Sequence, residues 1–115
     1  MSRWTIRLSL LLVLLAGTRA GAQAADGKAL YLKQCRSCHG TTGKPTKQAL
    51  RETPRIPTMD AEFLAKRSAD SLVAVMQNGV GRDMKSFKSK LSQEEMRAIA
   101  AYLRETFVEE VKRSP

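Results

Sequence analysis

Hydrophobic spacing divides the chain into one almost unbroken apolar run near the N-terminus and several short amphipathic stretches after it. The run covers residues 8–16, and the later stretches follow the spacing of a helix, not the alternation of a strand. Helices are predicted at 26–38, 60–66 and 69–78, and a last helix begins after Ser92. The apolar positions of this last helix are Met96, Ile99, Ala100, Leu103 and Phe107. The predicted fold class is all-α.

Capping residues support these helix boundaries. Asp26 and Ser68 precede their helices as N-caps, and Ser92 followed by a glutamate three residues later forms a capping box. Between the helices, residues 40–57 are rich in Gly, Pro and Thr, and residues 79–90 lack a clear period. Both segments are predicted to be irregular loops.

The N-terminal run has the features of a secretory signal peptide. Arg3 and Arg7 precede the run without an acidic residue, and Ala22-Gln23-Ala24 follows as a cleavage signal. Residues 1–24 are therefore predicted to be removed after export to the periplasm, with cleavage after Ala20 as the second choice and a retained anchor as the alternative. The apolar run is too short for a typical membrane span. Residues 25–115 then form one small domain with no stable membrane span.

The chain is strongly basic, with 20 Lys and Arg against 11 Asp and Glu, a net charge of +9. Cleavage of the signal removes three arginines and no acidic residue, which leaves +6. Such a surface favours encounter with acidic partner proteins, although a basic protein without such partners fits equally well. Export argues against a nucleic-acid partner.

The most specific motif is Cys35-Arg36-Ser37-Cys38-His39, the C-x-x-C-H string of a c-type haem attachment site. Thiols one helical turn apart can add to the two vinyl groups of one porphyrin, and the adjacent imidazole can bind the iron. A thioredoxin-like pair, a zinc site and a disulfide are the alternatives. The first normally needs a βαβ unit, the second needs more ligands than two Cys and one His supply, and the third leaves His39 unexplained. About four helices wrapped around one covalent haem c, with its iron, are predicted.

The second axial position of the iron requires another ligand type, because His39 is the only histidine. Methionine suits this position, since a neutral thioether binds iron in either oxidation state and raises the reduction potential. Met76 and Met96 lie on apolar helical stripes and are predicted to be core residues. Met84 lies in a loop and is the preferred ligand, with Met59 as the runner-up.

The chain resembles the class I c-type cytochromes, of the small bacterial monohaem kind. The resemblance covers nearly all of residues 26–107. Its motifs are Gly27 and Tyr31 ahead of C-x-x-C-H-G, the G-x-G-x-x-M-x-x-F segment at 79–87, L-S-x-x-E at 91–95, and Tyr102-Leu103. The resemblance implies that Met84 is the distal ligand and that Met59 packs against the haem. The chain departs from the family at Lys85, where the family commonly has a proline that helps to stiffen the loop carrying the methionine ligand.

The resemblance has two further structural implications. A proline carbonyl accepts a hydrogen bond from the second ring nitrogen of His39, with Pro57 as the matching residue and Pro45 as the alternative. Gly27 and Tyr31 meet the last helix near Leu103, where a glycine lets two backbones approach closely.

The predicted function is that of a periplasmic one-electron carrier, not an enzyme, because an iron bound by His39 and Met84 has no open position for a substrate. The alternatives are a haem subunit docked on a larger dehydrogenase or oxidase, and a haem sensor or peroxidase with a labile sixth ligand. Basic residues are expected to surround the exposed haem edge and to steer acidic redox partners: Arg36, Lys44, Lys85, Lys88 and Lys90. Lys47, Arg51 and Arg55 could reach the haem propionates but are left unassigned.

Overall fold

The computed structural model describes residues 24–113, with side chains described for residues 24–108. The predicted signal peptide therefore lies almost wholly outside the described residues. Within them the chain forms six helices and no strand, apart from one isolated bridge between Val80 and Met84. The helices are α1 (Gly27–Gln34), α2 (Arg36–His39), α3 (Lys47–Glu52), α4 (Ala61–Ala65), α5 (Ala69–Asn78) and α6 (Gln93–Arg113). The all-α prediction is confirmed.

The first predicted helix is interrupted at Cys35, so the prediction of one continuous helix over 26–38 was wrong in this detail. Asp26 caps α1 as expected, because its carboxylate accepts a hydrogen bond from the Ala29 amide at 3.0 Å. Cys35 has φ −116° and ψ −31°, which turns the chain between α1 and α2. The Cys35 carbonyl then accepts from the His39 amide at 2.9 Å. The C-x-x-C-H segment thus forms a separate single-turn helix.

The segment 40–57 contains a helix that the sequence analysis missed. Thr46 caps α3, since its hydroxyl accepts from the Ala49 amide at 3.1 Å and donates to the Ser37 carbonyl at 3.1 Å. Only Ala49 of α3 is buried. Because so short a helix buries a single small residue, it carries almost no apolar periodicity.

Helices α4 and α5 lie where they were predicted. Asp60 caps α4 through the Phe63 amide at 2.9 Å, and Ser68 caps α5 through the Ser71 amide at 3.1 Å. α5 ends at Gly79, whose φ of 70° lies in the left-handed region that favours glycine.

The last helix forms the centre of the core and packs against α1, α4 and α5. Its capping box is confirmed, with the Glu95 amide donating to the Ser92 hydroxyl at 3.1 Å and the Ser92 amide to the Glu95 carboxylate at 2.7 Å. α1 crosses α6 at Gly27, where a Cβ atom would lie 2.1 Å from the Ala98 carbonyl oxygen. The predicted close approach at Gly27 therefore exists. No helix within residues 24–113 is long and apolar enough to cross a membrane.

Candidate haem site

One cavity of about 540 Å³ brings the predicted site residues together. Cys35, Cys38 and His39 line it from the α2 side, and Met84 lines it from the loop that follows α5. The rest of the wall is predominantly apolar and comes from α4, α5 and α6, including Phe63, Leu72, Val75, Met76, Ile99 and Leu103. The cavity therefore combines an apolar interior with two thiols, an imidazole and a thioether.

The two cysteines are chemically unequal. Neither forms a disulfide; Cys35 is buried and Cys38 is exposed. Burial, and secondarily the neighbouring Cys38 thiol, raises the pKa of the Cys35 thiol to about 11. Among the described residues, His, Cys, Asp and Glu form no group of three or more that could hold a bare metal ion. The described residues therefore form no group of ligands for a structural zinc ion.

Burial favours the neutral form of His39, and one of its ring atoms has no hydrogen-bond partner among the described residues. Burial lowers the pKa of the imidazole, and the neutral form is the one that binds a metal. Its Nδ1 atom is buried and has no hydrogen-bond partner among the described residues. The expected bond to a proline carbonyl is therefore not formed in this structure: Pro57 lines the cavity with His39, while Pro45 is buried outside the cavity wall.

Two of the four described methionines, Met76 and Met96, are buried core residues, as predicted. Met96 is buried in the core, with 1% of its surface exposed, and Met76 is buried as well, although it also lines the cavity. Met59 is buried against the cavity, and its amide donates to the Gly43 carbonyl at 2.9 Å. Met84 is partly buried and lies on a loop. It is thus the one cavity-lining methionine in the described chain that no helix and no fully buried core position constrains.

A tight turn carries Met84. The Val80 amide donates to the Met84 carbonyl at 2.8 Å, and the Met84 amide donates back to the Val80 carbonyl at 3.2 Å. A Cβ atom on Gly79 would lie 2.4 Å from the Met84 carbonyl oxygen, so the turn folds directly over a glycine. The structure therefore explains both glycines of the G-x-G-x-x-M segment, since Gly81 also has a positive φ, of 50°.

Comparison with known proteins identifies the family. Residues 22–103 match the family model described as cytochrome c oxidase, cbb3-type, subunit III. The chain is a c-type cytochrome. Cytochrome c6 of Synechocystis sp. is 32% identical to it over 89 residues, which cover 77% of this chain and 70% of that protein.

Solved structures agree with this membership and confirm the cytochrome c fold. The c-type cytochrome KustC0563 superposes with a TM-score of 0.63 at 36% identity, covering 70% of this chain and 96% of that one. A tyrosine-to-phenylalanine variant of KustC0563 gives 0.61 at 36% identity, with 69% and 95% covered. The cofactor of the cytochrome is haem c with its iron, and the cytochrome is a haem-based electron carrier with redox partners.

The cavity of the cytochrome fits this cofactor. His39 lines the cavity wall, and its burial favours the neutral imidazole that binds a metal. Two free thiols at the correct spacing lie beside it, and apolar side chains form the remaining wall. Residues and cofactor are therefore compatible.

Arg67 also lines the cavity, and it was not predicted as a site residue. Arg67 is half-buried, and its guanidinium carbon lies 3.5 Å from the centroid of the Phe63 ring. Its Nη1 donates to the Phe63 carbonyl at 2.9 Å, and Arg104 donates to the Arg67 carbonyl at 2.9 Å. No acidic side chain within the described region pairs with Arg67. The only signal in the sequence was the four-residue spacing of an aromatic and an arginine.

Proposed function

We propose that the protein is a periplasmic one-electron carrier whose haem c is attached through Cys35 and Cys38 and bound axially by His39 and Met84. One observation carries the proposal: the C-x-x-C-H helix and a loop methionine line the same apolar cavity. The haem supplies a reversible one-electron change at its iron. The same ligand set leaves no open position for a substrate, which is why we assign no enzymatic activity.

The residues have distinct roles in this proposal. Cys35 and Cys38 hold the macrocycle through thioether bonds, so its position does not depend on the oxidation state. His39 binds in the neutral form that burial already favours. Met84 contributes an uncharged thioether, which raises the reduction potential relative to a charged ligand. Arg67, held half-buried without an acidic partner in the described region, is suited to a haem propionate.

The compartment follows from the predicted signal peptide at residues 1–24. Removal of this segment leaves residues 25–115 as the cytochrome c domain, with a net charge of +6. The intact mass of protein isolated from the periplasm tests both the cleavage and the attachment. We expect the mass of the chain beginning at Ala25 plus one haem, and a mass that still includes residues 1–24 would contradict the proposed processing.

Basic side chains support an encounter with acidic redox partners. The five predicted cations all lie exposed in the structure: Arg36, Lys44, Lys85, Lys88 and Lys90. Lys85 itself lines the cavity, so part of this charge lies at the mouth of the haem site. Surface charges of this kind act mainly on the association rate and are screened by salt.

Stopped-flow reduction by an acidic electron-transfer protein tests this role. The double variant Lys85→Glu/Lys88→Glu should react more slowly than the wild type at low ionic strength, and the difference should shrink as salt is added. Lys28→Glu is the control, because Lys28 is exposed on α1 and does not line the cavity. Equal rates for the wild type and the double variant at low salt would contradict the proposed docking surface.

A second candidate is a haem subunit of a larger oxidase. The observation that favours it is the family model, whose description names a subunit of a cbb3-type cytochrome c oxidase. Native mass measurement of the protein taken from its source distinguishes the two. A free carrier has the mass of one mature chain with one haem, whereas a subunit remains in a larger complex.

A further inference from the structure

The loop that carries Met84 has two separate sets of hydrogen bonds. The first set closes the turn on itself, between Val80 and Met84. The second set ties the loop to the end of α5: the Phe87 amide donates to the Met76 carbonyl at 2.8 Å, and the Ser86 hydroxyl donates to the Gln77 carbonyl at 2.5 Å. The first set gives the turn its shape, and the second ties the C-terminal side of the turn back to α5.

Ser86 is the side chain that makes this connection. Gln77 lies in the last turn of α5, where helix carbonyls have no partner within the helix and need one from outside. The Ser86 hydroxyl supplies it and at the same time accepts from the Lys88 amide at 3.2 Å. The hydroxyl therefore joins the helix end to the loop on the C-terminal side of Met84.

Because Lys85 lies between Met84 and Ser86, the position of the loop depends on the Ser86 contact. Lys85 is exposed and has no ring to fix its φ, whereas a proline at the same position would restrict the backbone to a narrow range. On the other side of the turn, the contact between Arg55 and Asp83 is 3.9 Å long with both side chains substantially exposed. Such an ion pair contributes little.

We propose that Ser86 is the positioning residue that holds Met84 at the iron, and that its hydroxyl performs the stiffening that Lys85 does not provide. The proposal rests on the proposed ligation by Met84. When the Ser86 hydroxyl is removed, the turn from Val80 to Met84 keeps its shape but separates from α5 more often. Met84 then leaves the iron more often, and an added ligand can take its position.

Imidazole binding to the matured ferric protein measures this opening, because imidazole must displace the sixth ligand. Ser86→Ala should bind imidazole roughly 2- to 10-fold faster than the wild type, the effect of losing one hydrogen bond. Ser86→Thr keeps the hydroxyl and should bind within about twofold of the wild type. Ser89→Ala is the matched control, since Ser89 is an exposed serine of the same loop. Its hydroxyl makes no hydrogen bond among the described residues.

A double-mutant cycle with Met84→Ala separates positioning from general loosening. If Ser86 acts through Met84, the Ser86→Ala substitution has no further effect on imidazole binding once Met84 is absent. The proposal is overturned if Ser86→Ala binds at the wild-type rate, if Ser86→Thr binds as fast as Ser86→Ala, or if the effect persists without Met84. If Met84→Ala itself binds imidazole like the wild type, the proposed ligation of the iron by Met84 is wrong.

Discussion

The hydroxyl of Tyr31 connects α1 to the C-x-x-C-H segment, and its removal tests how that segment is held. Tyr31 is fully buried, and its hydroxyl donates to the Gly40 carbonyl at 2.6 Å. Gly40 directly follows His39. The Tyr31 ring also packs against Tyr102 and Phe107, with centroids 5.6 and 6.1 Å away. Tyr31→Phe keeps this ring packing and removes only the hydroxyl, with its bond to Gly40 and a longer one of 3.5 Å to the His39 carbonyl.

The expected loss follows from leaving the Gly40 carbonyl buried without this donor. An unsatisfied buried acceptor costs about 1–3 kcal/mol. In a domain of this size, a change of about 1 kcal/mol moves the melting temperature by about 4–8 °C. Tyr31→Phe should therefore lower the melting temperature by about 4 to 24 °C.

Thermal unfolding of the matured ferric protein, followed by circular dichroism in the haem absorption band, measures this loss. Tyr102→Phe is the matched control, because Tyr102 belongs to the same aromatic cluster and its hydroxyl makes no hydrogen bond among the described residues. We expect the control to stay within about 0.5 kcal/mol of the wild type. The reasoning is refuted if Tyr31→Phe melts with the wild type, or if both variants lose the same stability.

Three further predictions concern Gly27, the pH dependence at Tyr31, and Arg67. Gly27→Ala should lower the free energy of unfolding by about 1–3 kcal/mol, because its Cβ atom would meet the Ala98 carbonyl and force α1 away from α6. Denaturant titration measures this loss, with Lys28→Ala as the control. Equal denaturation midpoints for Gly27→Ala and the wild type would contradict it. Burial raises the pKa of Tyr31 above its ordinary value of about 10. The stability that this tyrosine contributes is therefore present below about pH 10 and lost as the pH rises further, because the unfolded chain releases the proton first. Denaturant titrations above this pH should show a smaller difference in the free energy of unfolding between the wild type and Tyr31→Phe. A difference that stays constant with pH would exclude the effect. Arg67→Gln should lower the reduction potential, since a nearby cation favours the ferrous state. Redox titration measures this, with Arg97→Gln as the control because Arg97 is exposed on α6 and does not line the cavity. An unchanged potential in Arg67→Gln would rule out a propionate role for Arg67.

The parts of the fold that the sequence predicted are those that local chemistry determines. Asp26, Ser68 and Ser92 mark helix starts because a capping side chain bonds to an amide only three residues away. Helix α3 was missed because it buries only Ala49 and so has no apolar stripe. The interruption at Cys35 was missed for a different reason, since one backbone turn leaves no trace in hydrophobic spacing.

The residues of the candidate site also differ in how far local sequence could predict them. The C-x-x-C-H residues and Met84 could be chosen as candidates because covalent attachment and iron ligation demand particular residue types, and the structure places all of them at one cavity. The contacts of Arg67 with Phe63 and of Ser86 with the Gln77 carbonyl could not, because they depend on how a loop or helix end meets its neighbour. The partner of the His39 ring was predicted from family resemblance, and the structure forms no such bond.

The ferric absorption spectrum of the matured protein tests the central claim, axial ligation by His39 and Met84, most directly. Sulfur ligation of ferric haem iron gives a weak absorption at the far red end of the visible spectrum. We predict this band in the wild type and in Met59→Ala, and its loss in Met84→Ala. Its absence from the wild type, or its persistence in Met84→Ala, would contradict the account.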